Sequence, residues 1–213
     1  QVKQMLGGPF GARKEKKEME NAFNEDEIRK LNIYDMSFMF TSMARVFKKQ
    51  SKEIILLQYK NTVSKIENVL SKEEFEIEHL NFCKWFCQNI KLSKIENGLF
   101  DRYASYGQVA KVLDIMLKVE FYYCNRDAEI AKYLHAAIDT PILNYLKKQY
   151  PDSTILAKTI YEIEKQEYSK LQEIIKKEIA DKYQNKITPV QYDDIKWREL
   201  NRKYKNRLTT AST

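Results

Sequence analysis

Apolar positions recur along this chain at intervals of three and four residues, the period of a helix with one buried face. Between Asp26 and Gln50 the stripe is Phe38, Met39, Met43, Val46 and Phe47, with Ser42 on the same side, which predicts one helix over 26–50. Ile54-Ile55-Leu56-Leu57 runs on into Val63, Ile66, Val69 and Leu70, a spacing that favours helix over strand. Ser71-Lys-Glu-Glu74 has the form of a capping box, in which serine and glutamate satisfy one another's backbone amides. The helix it opens carries Phe75, His79, Leu80, Cys83, Phe86, Cys87 and Ile90. Gly98 reads as the stop of the following segment. Val109, Val112, Leu113, Met116 and Leu117 make the next apolar face. Asp139 stands ahead of Ile142, Leu143 and Leu146, an N-cap position with Pro141 tolerated in the first turn. After a break at Pro151-Asp152, Ile155, Leu156, Ile160, Ile163, Leu171, Ile174, Ile175 and Ile179 predict a long helix. Thr188-Pro189 starts the last one, with Ile195, Trp197 and Leu200 on its face. No repeat, low-complexity block or Gly/Pro linker interrupts 25–205. The expected architecture is all-α: a single multi-helix domain over 25–208 behind a flexible basic arm over 1–24, with no sheet of three or more strands.

Composition narrows the partners. The 213 residues are 43% hydrophobic and 31% charged, with a net charge of +7 and a pI near 9.1. A basic balance favours polyanions, nucleic acid first and an anionic membrane surface second. Many of the charges are interspersed, as helix-surface pairs would be. No apolar run approaches the roughly 20 residues of a transmembrane helix, and no signal-peptide pattern is visible. The partner expected is therefore DNA, with no membrane. Three cysteines, an odd number without an extracellular cue, read as reduced thiols in a cytoplasmic protein.

Several chemistries are weighed and set aside. His79, Cys83 and Cys87 share one helix face. The outer two lie about 12 Å apart along the axis, too far for a single zinc ion, so this face reads as core. Arg126 and His135 are too widely spaced for the paired residues of a HEPN-type ribonuclease. Phe121-Tyr122-Tyr123 beside Arg126 offers stacking surface for a base, or a helix end packing into the core. There is no Gly-rich phosphate loop, HExxH or Ser-His-Asp constellation, and no metal or cofactor is expected.

The stretch from Ser105 to Leu146 carries the candidate chemistry. Of five glycines, three lie in the N-terminal tail, and Gly98 and Gly107 bracket the entry to this stretch. Lys111 lies about 200° round the helix from Val109, away from the apolar stripe and beside Ile115, Lys118 and Tyr122. Gly107-Gln-Val-Ala-Lys111-Val-Leu-Asp114 followed by Ile138-Asp139-Thr140-Pro-Ile-Leu143 resembles the helix-hairpin-helix DNA glycosylases. That family has a glycine-containing hairpin, a lysine at the start of the next helix, and then an apolar-Asp-Thr step. Val109 stands where the hairpin usually has its second glycine. The segment between Lys111 and Asp139 is longer than usual, as it also is in an archaeal branch that acts on oxidised guanine.

The resemblance implies a helix-hairpin-helix fold around a base-excision glycosylase/lyase acting on a flipped base, an oxidised one if the archaeal likeness extends to the substrate. In it Lys111 attacks the sugar and forms a Schiff base, while Asp139 activates the lysine or stabilises the positive sugar. Amides around Gly107 and Gln108 hold a phosphate, Lys118 supplies charge that helps to keep Lys111 neutral, and Tyr122 and His135 complete the substrate site. The protein would then be associated with nucleoid or nuclear DNA. A lysine is a nucleophile only when its amine is neutral, which needs burial or a neighbouring cation. Without the resemblance, Lys111 is a surface lysine and Asp139 a helix cap contributing about 1 kcal/mol. The alternative is a non-catalytic helical protein that binds nucleic acid or another protein, which Val109 favours. A third possibility is a purely structural or regulatory all-α partner.

Overall fold

The helix predicted from the 109/112/113/116/117 face is the centre of the molecule. The computed structural model describes residues 25–48, 50–93, 102–125 and 127–210. In order these form α1 (Glu25–Phe40), α2 (Ser51–Ile66), α3 (Lys72–Asn89) and α4 (Tyr106–Leu117), with a π-helical continuation (Lys118–Cys124). Then come α5 (Ala128–Ala131), α6 (Thr140–Gln149), α7 (Lys165–Tyr183) and α8 (Pro189–Thr210), with single 3-10 turns at Pro151–Ser153 and Ile160–Glu162. The fold is all-α. Among the described residues strand pairing is confined to isolated bridges, Phe47 with Leu92 and Lys91 with Tyr103, and no helix is long and apolar enough to cross a membrane. The expected arm over 1–24, the helix stop at Gly98, and Arg126 lie outside the described residues.

α4 is buried on almost every side because its residues are almost all apolar. α1, α3, α7 and the 160–162 turn pack around it. Its start is a complete capping box: Ser105 Oγ accepts from the Gln108 amide, and Gln108 Oε1 accepts from the Ser105 amide at 3.1 Å. Gly107 lies under the 160–162 turn, its amide donating to the Ile163 carbonyl at 3.0 Å. A Cβ at this position would sit 2.2 Å from the Ile160 carbonyl oxygen and 2.7 Å from the Ile163 Cβ. Backbone cannot yield there as a flexible side chain would. Gly107→Ala is therefore expected to destabilise the fold by about 1–3 kcal/mol, read from the urea midpoint. An unchanged midpoint would show that the turn moves freely.

Three expected boundaries are corrected. The helix over 26–50 stops at Phe40. There Thr41 Oγ1 donates to the Phe38 carbonyl at 2.7 Å and accepts from the Met43 amide at 3.1 Å, and Ser42 takes a left-handed φ of 58°. A side-chain hydroxyl that competes for backbone partners breaks a helix that apolar spacing alone would continue. Met43 and Phe47 still reach the core, whereas Met39 and Phe40 face solvent. Second, the Ser71 cap is only half a box. Ser71 Oγ accepts from the Glu74 amide at 3.2 Å, but Glu74 accepts from Leu70, one residue too early. Third, residues 155–163 are not the first turns of α7. Thr154 is left-handed, and Glu167 accepts from the amides of Leu156 and Ala157, which pins this segment as a loop against the helix.

Candidate functional site

Lys111 and Asp139 line one cleft of about 680 Å³, within the range of small-molecule sites. α4 turns its apolar stripe inward, which leaves Lys111 half-buried at the cleft wall. No hydrogen-bond or ion-pair partner of its amine lies among the described residues. Asp139 is the N-cap of α6, its Oδ1 accepting from the Ile142 amide at 3.0 Å. α8 adds Asp193, Asp194 and Trp197 to the lining, and the turn after α1 adds Phe40, Thr41 and Ser42.

Lys118 also borders the cleft, but as part of its floor. Its Nζ donates to Asp193 Oδ2 at 2.6 Å and to Asp194 Oδ1 at 3.0 Å, with only 8% of its side chain exposed. Burial works against the ammonium, yet the two carboxylates outweigh it and hold the amine above its ordinary pKa. Burial likewise pushes Asp193 up to about 6, with Lys118 opposing. Asp193 Oδ2 also accepts from the Ala137 amide at 3.3 Å, and the Tyr123 hydroxyl donates to Asp194. One network thus ties the π-helical turn, α8 and the approach to Asp139. The expectation that Lys118 offers free charge to Lys111 is corrected: two carboxylates match that charge.

The other expected site residues are elsewhere. The Gly107 amide is taken by Ile163 and the Gln108 side chain by the capping box, so neither group is free to hold a phosphate. Tyr122 lines a neighbouring cavity of about 440 Å³ with Phe121, Tyr123 and Asp127. His135 faces a third cavity, of about 230 Å³, between α3 and α7. Asp193, Asp194, Trp197 and the Thr41-Ser42 turn were not singled out in the sequence. The one available signal was the Asp193–Trp197 pair, one helical turn apart near the start of the last helix.

The ligand atoms of His79, Asp114 and His135 lie within 4.8 Å of one another. Each already holds a hydrogen bond to another protein group, so the cluster reads as a hydrogen-bonded chain rather than a metal centre. Cys83, Cys87 and Cys124 are free thiols. No family model, curated protein or solved structure matches the chain.

Proposed function

We propose that the chain is a DNA glycosylase/lyase whose cleft receives a nucleotide turned out of the duplex. One observation carries the reading: a lysine amine without a partner among the described residues and a carboxylate, from two separate elements, border one cleft. Lys111 Nζ, once neutral, attacks the sugar carbon that bears the base. The carbon–nitrogen bond to the base breaks, and the base leaves with the bonding pair and takes up the proton that the lysine nitrogen loses. The bond from that carbon to the ring oxygen then breaks, the oxygen keeping its electron pair and taking a proton, as the nitrogen lone pair forms the C=N bond of a protonated Schiff base. Asp139, with one oxygen engaged as a cap, offers its carboxylate to the positive charge that develops on the sugar. Trp197 and Phe40, 51% and 74% exposed, give flat apolar surface at the rim on which an unstacked base can lie. Such a protein works in the compartment that holds DNA, cytoplasm or nucleus.

The phosphate contacts that non-specific binding needs come from the net positive charge. Neutralising even two or three phosphates predicts that affinity for a short duplex falls by roughly tenfold or more between about 50 and 200 mM salt. Affinity that is flat over that range, or absent at low salt, removes DNA as the partner. The chemistry is tested by borohydride reduction in the presence of DNA with an abasic site, which fixes a Schiff base as a stable protein–DNA adduct. The second reading, a non-catalytic nucleic-acid-binding or protein-binding helical domain, is favoured by the engaged Gly107 amide. It predicts no adduct, with salt-dependent binding to DNA if the partner is nucleic acid and none if it is a protein.

A further inference from the structure

Both histidines of the chain belong to one run of hydrogen bonds, none of whose members lines the Lys111 cleft. His135 Nε2 lies 2.9 Å from Glu76 Oε1, and His135 Nδ1 lies 2.9 Å from the Tyr168 hydroxyl. That hydroxyl donates to Asp114 Oδ2 at 2.7 Å, and Asp114 Oδ1 lies 3.0 Å from His79 Nε2. His79, Asp114, His135 and Tyr168 are buried, whereas the Glu76 side chain is 42% exposed.

Each bond in this run needs one proton. With both carboxylates ionised and both imidazoles neutral, the five groups supply three protons for four bonds: one from each imidazole and one from the hydroxyl. Closing all four bonds therefore takes one proton more than the usual neutral-pH complement. A hydroxyl that donates to Asp114 must accept from His135 Nδ1–H. His135 Nε2 then meets Glu76 either with a second ring proton or across two facing acceptors. Shifting the extra proton to Asp114 reverses the bonds without changing the count. Loss of that proton breaks a bond.

The other titratable groups facing this run are few. α3 adds Lys72 and Cys83, α4 adds Tyr106, and α7 adds Lys165, Glu173 and Lys176. Cys83 Sγ is 3.8 Å from His79 Nδ1, and Lys176 pairs with Glu173 at the solvent side. Burial lowers the pKa of His135, with the Glu76 bond opposing. Against its own burial, Glu76 is held down to about 2 by the bond to His135. Against its own burial, the His79 ring is held well above its ordinary value by Cys83 and Asp114, so the solvent-facing Glu76–His135 end is where the proton leaves, below the ordinary imidazole value of about 6.5.

The run also connects the elements that carry the cleft. Asp114 is one turn beyond Lys111 on α4, and His135 precedes Asp139 on the segment leading to α6. Tyr168 on α7 joins the two. We propose that Glu76, His135, Tyr168, Asp114 and His79 form a proton-dependent positioning device. Fully bonded, it fixes α4 against the 135–139 segment, and so sets the approach of Lys111 to Asp139. Without its extra proton, it releases one of these links. The effect on chemistry rests on the function proposed above, whereas the proton count does not.

Glu76→Gln separates the alternatives, because a carboxamide can donate to a neutral His135 Nε2 and complete the run without the extra proton. Histidine-ring and backbone ¹⁵N spectra are recorded between about pH 5 and 7.5, spanning the ordinary imidazole value. In the unmodified protein the amide signals of 111–117 and 136–139 should move with the midpoint at which His135 loses its proton. In Glu76→Gln they should stay at their acid-side positions throughout. In Tyr168→Phe they should be displaced at every pH. Amides that ignore the His135 midpoint, or a Glu76→Gln protein that titrates as before, would overturn the proposal. In borohydride trapping, Glu76→Gln should match the unmodified protein near pH 5 and exceed it by about tenfold near pH 7.5, a factor worth about 1.4 kcal/mol. A flat ratio alongside normal trapping would refute the positioning role alone. No trapping in the unmodified protein would refute the glycosylase reading, leaving the spectra to decide on the device.

Discussion

Lys111→Gln is expected to abolish borohydride trapping on abasic DNA while leaving the fold and DNA affinity nearly unchanged. The amide keeps most of the length and polarity of the side chain but has no nucleophilic lone pair. Lys111 is half-buried and without a partner among the described residues, so its replacement breaks no bond, and the stability change should stay within about 0.5 kcal/mol. One positive charge in a chain of net charge +7 is a small part of a phosphate-driven affinity. The rate of adduct formation, by contrast, should fall by roughly a thousandfold or more, because an interaction made only in the transition state is removed. Asp139→Asn should slow the same step less, since the amide oxygen can still accept from the Ile142 amide but no longer carries charge. Equal losses of binding and trapping in Lys111→Gln would mean that the lysine is a phosphate contact.

The second large effect is on stability. Lys118→Met should destabilise the protein by about 3–5 kcal/mol at neutral pH, the usual cost of removing one partner from a buried ion pair. The methionine fills the space but leaves Asp193 and Asp194 facing each other without a countercharge. Asp193, already raised to about 6 by burial, then loses the cation that opposes the rise and moves higher still. A carboxylate whose folded pKa is raised binds more protons in the folded state than in the unfolded one. Stability therefore falls as pH rises through the interval between the two values. The deficit of Lys118→Met relative to the unmodified protein should accordingly be larger near pH 8 than near pH 5, where the Asp193 carboxyl is neutral. Denaturant midpoints at the two pH values measure this. A deficit independent of pH would mean that lost packing, not uncompensated buried charge, sets the cost.

The residues explain what could be read in advance and what could not. The α4 face was legible because five apolar side chains fell on one helical stripe, and the outward direction of Lys111 followed from the same geometry. Asp139 was legible as a cap because Pro141 and an apolar run follow it. The break after Phe40 was not, since apolar spacing continues across Thr41 and Ser42 and the hydroxyl that ends the helix is silent in the pattern. Gly107 suggested a ligand-binding loop, but the reason for glycine is the Ile160 carbonyl, brought in by a turn far along the chain. In the sequence Asp193 and Asp194 are two charges near a helix start, with nothing local to set them apart. Their meaning depends on Lys118, which meets them only in the folded chain. His135 is close to Asp139 in sequence but lies on an irregular segment, where no period fixes the direction of a side chain, and it lines a different cavity.

The most direct test of the cleft chemistry is the position of the trapped adduct. The unmodified protein is reduced with borohydride on abasic-site DNA, digested, and mapped by mass spectrometry. A deoxyribose-derived mass on Lys111, with none on Lys118, which borders the same cleft, is the expected result. An adduct on another lysine, or no adduct under conditions where the DNA is demonstrably bound, would contradict it.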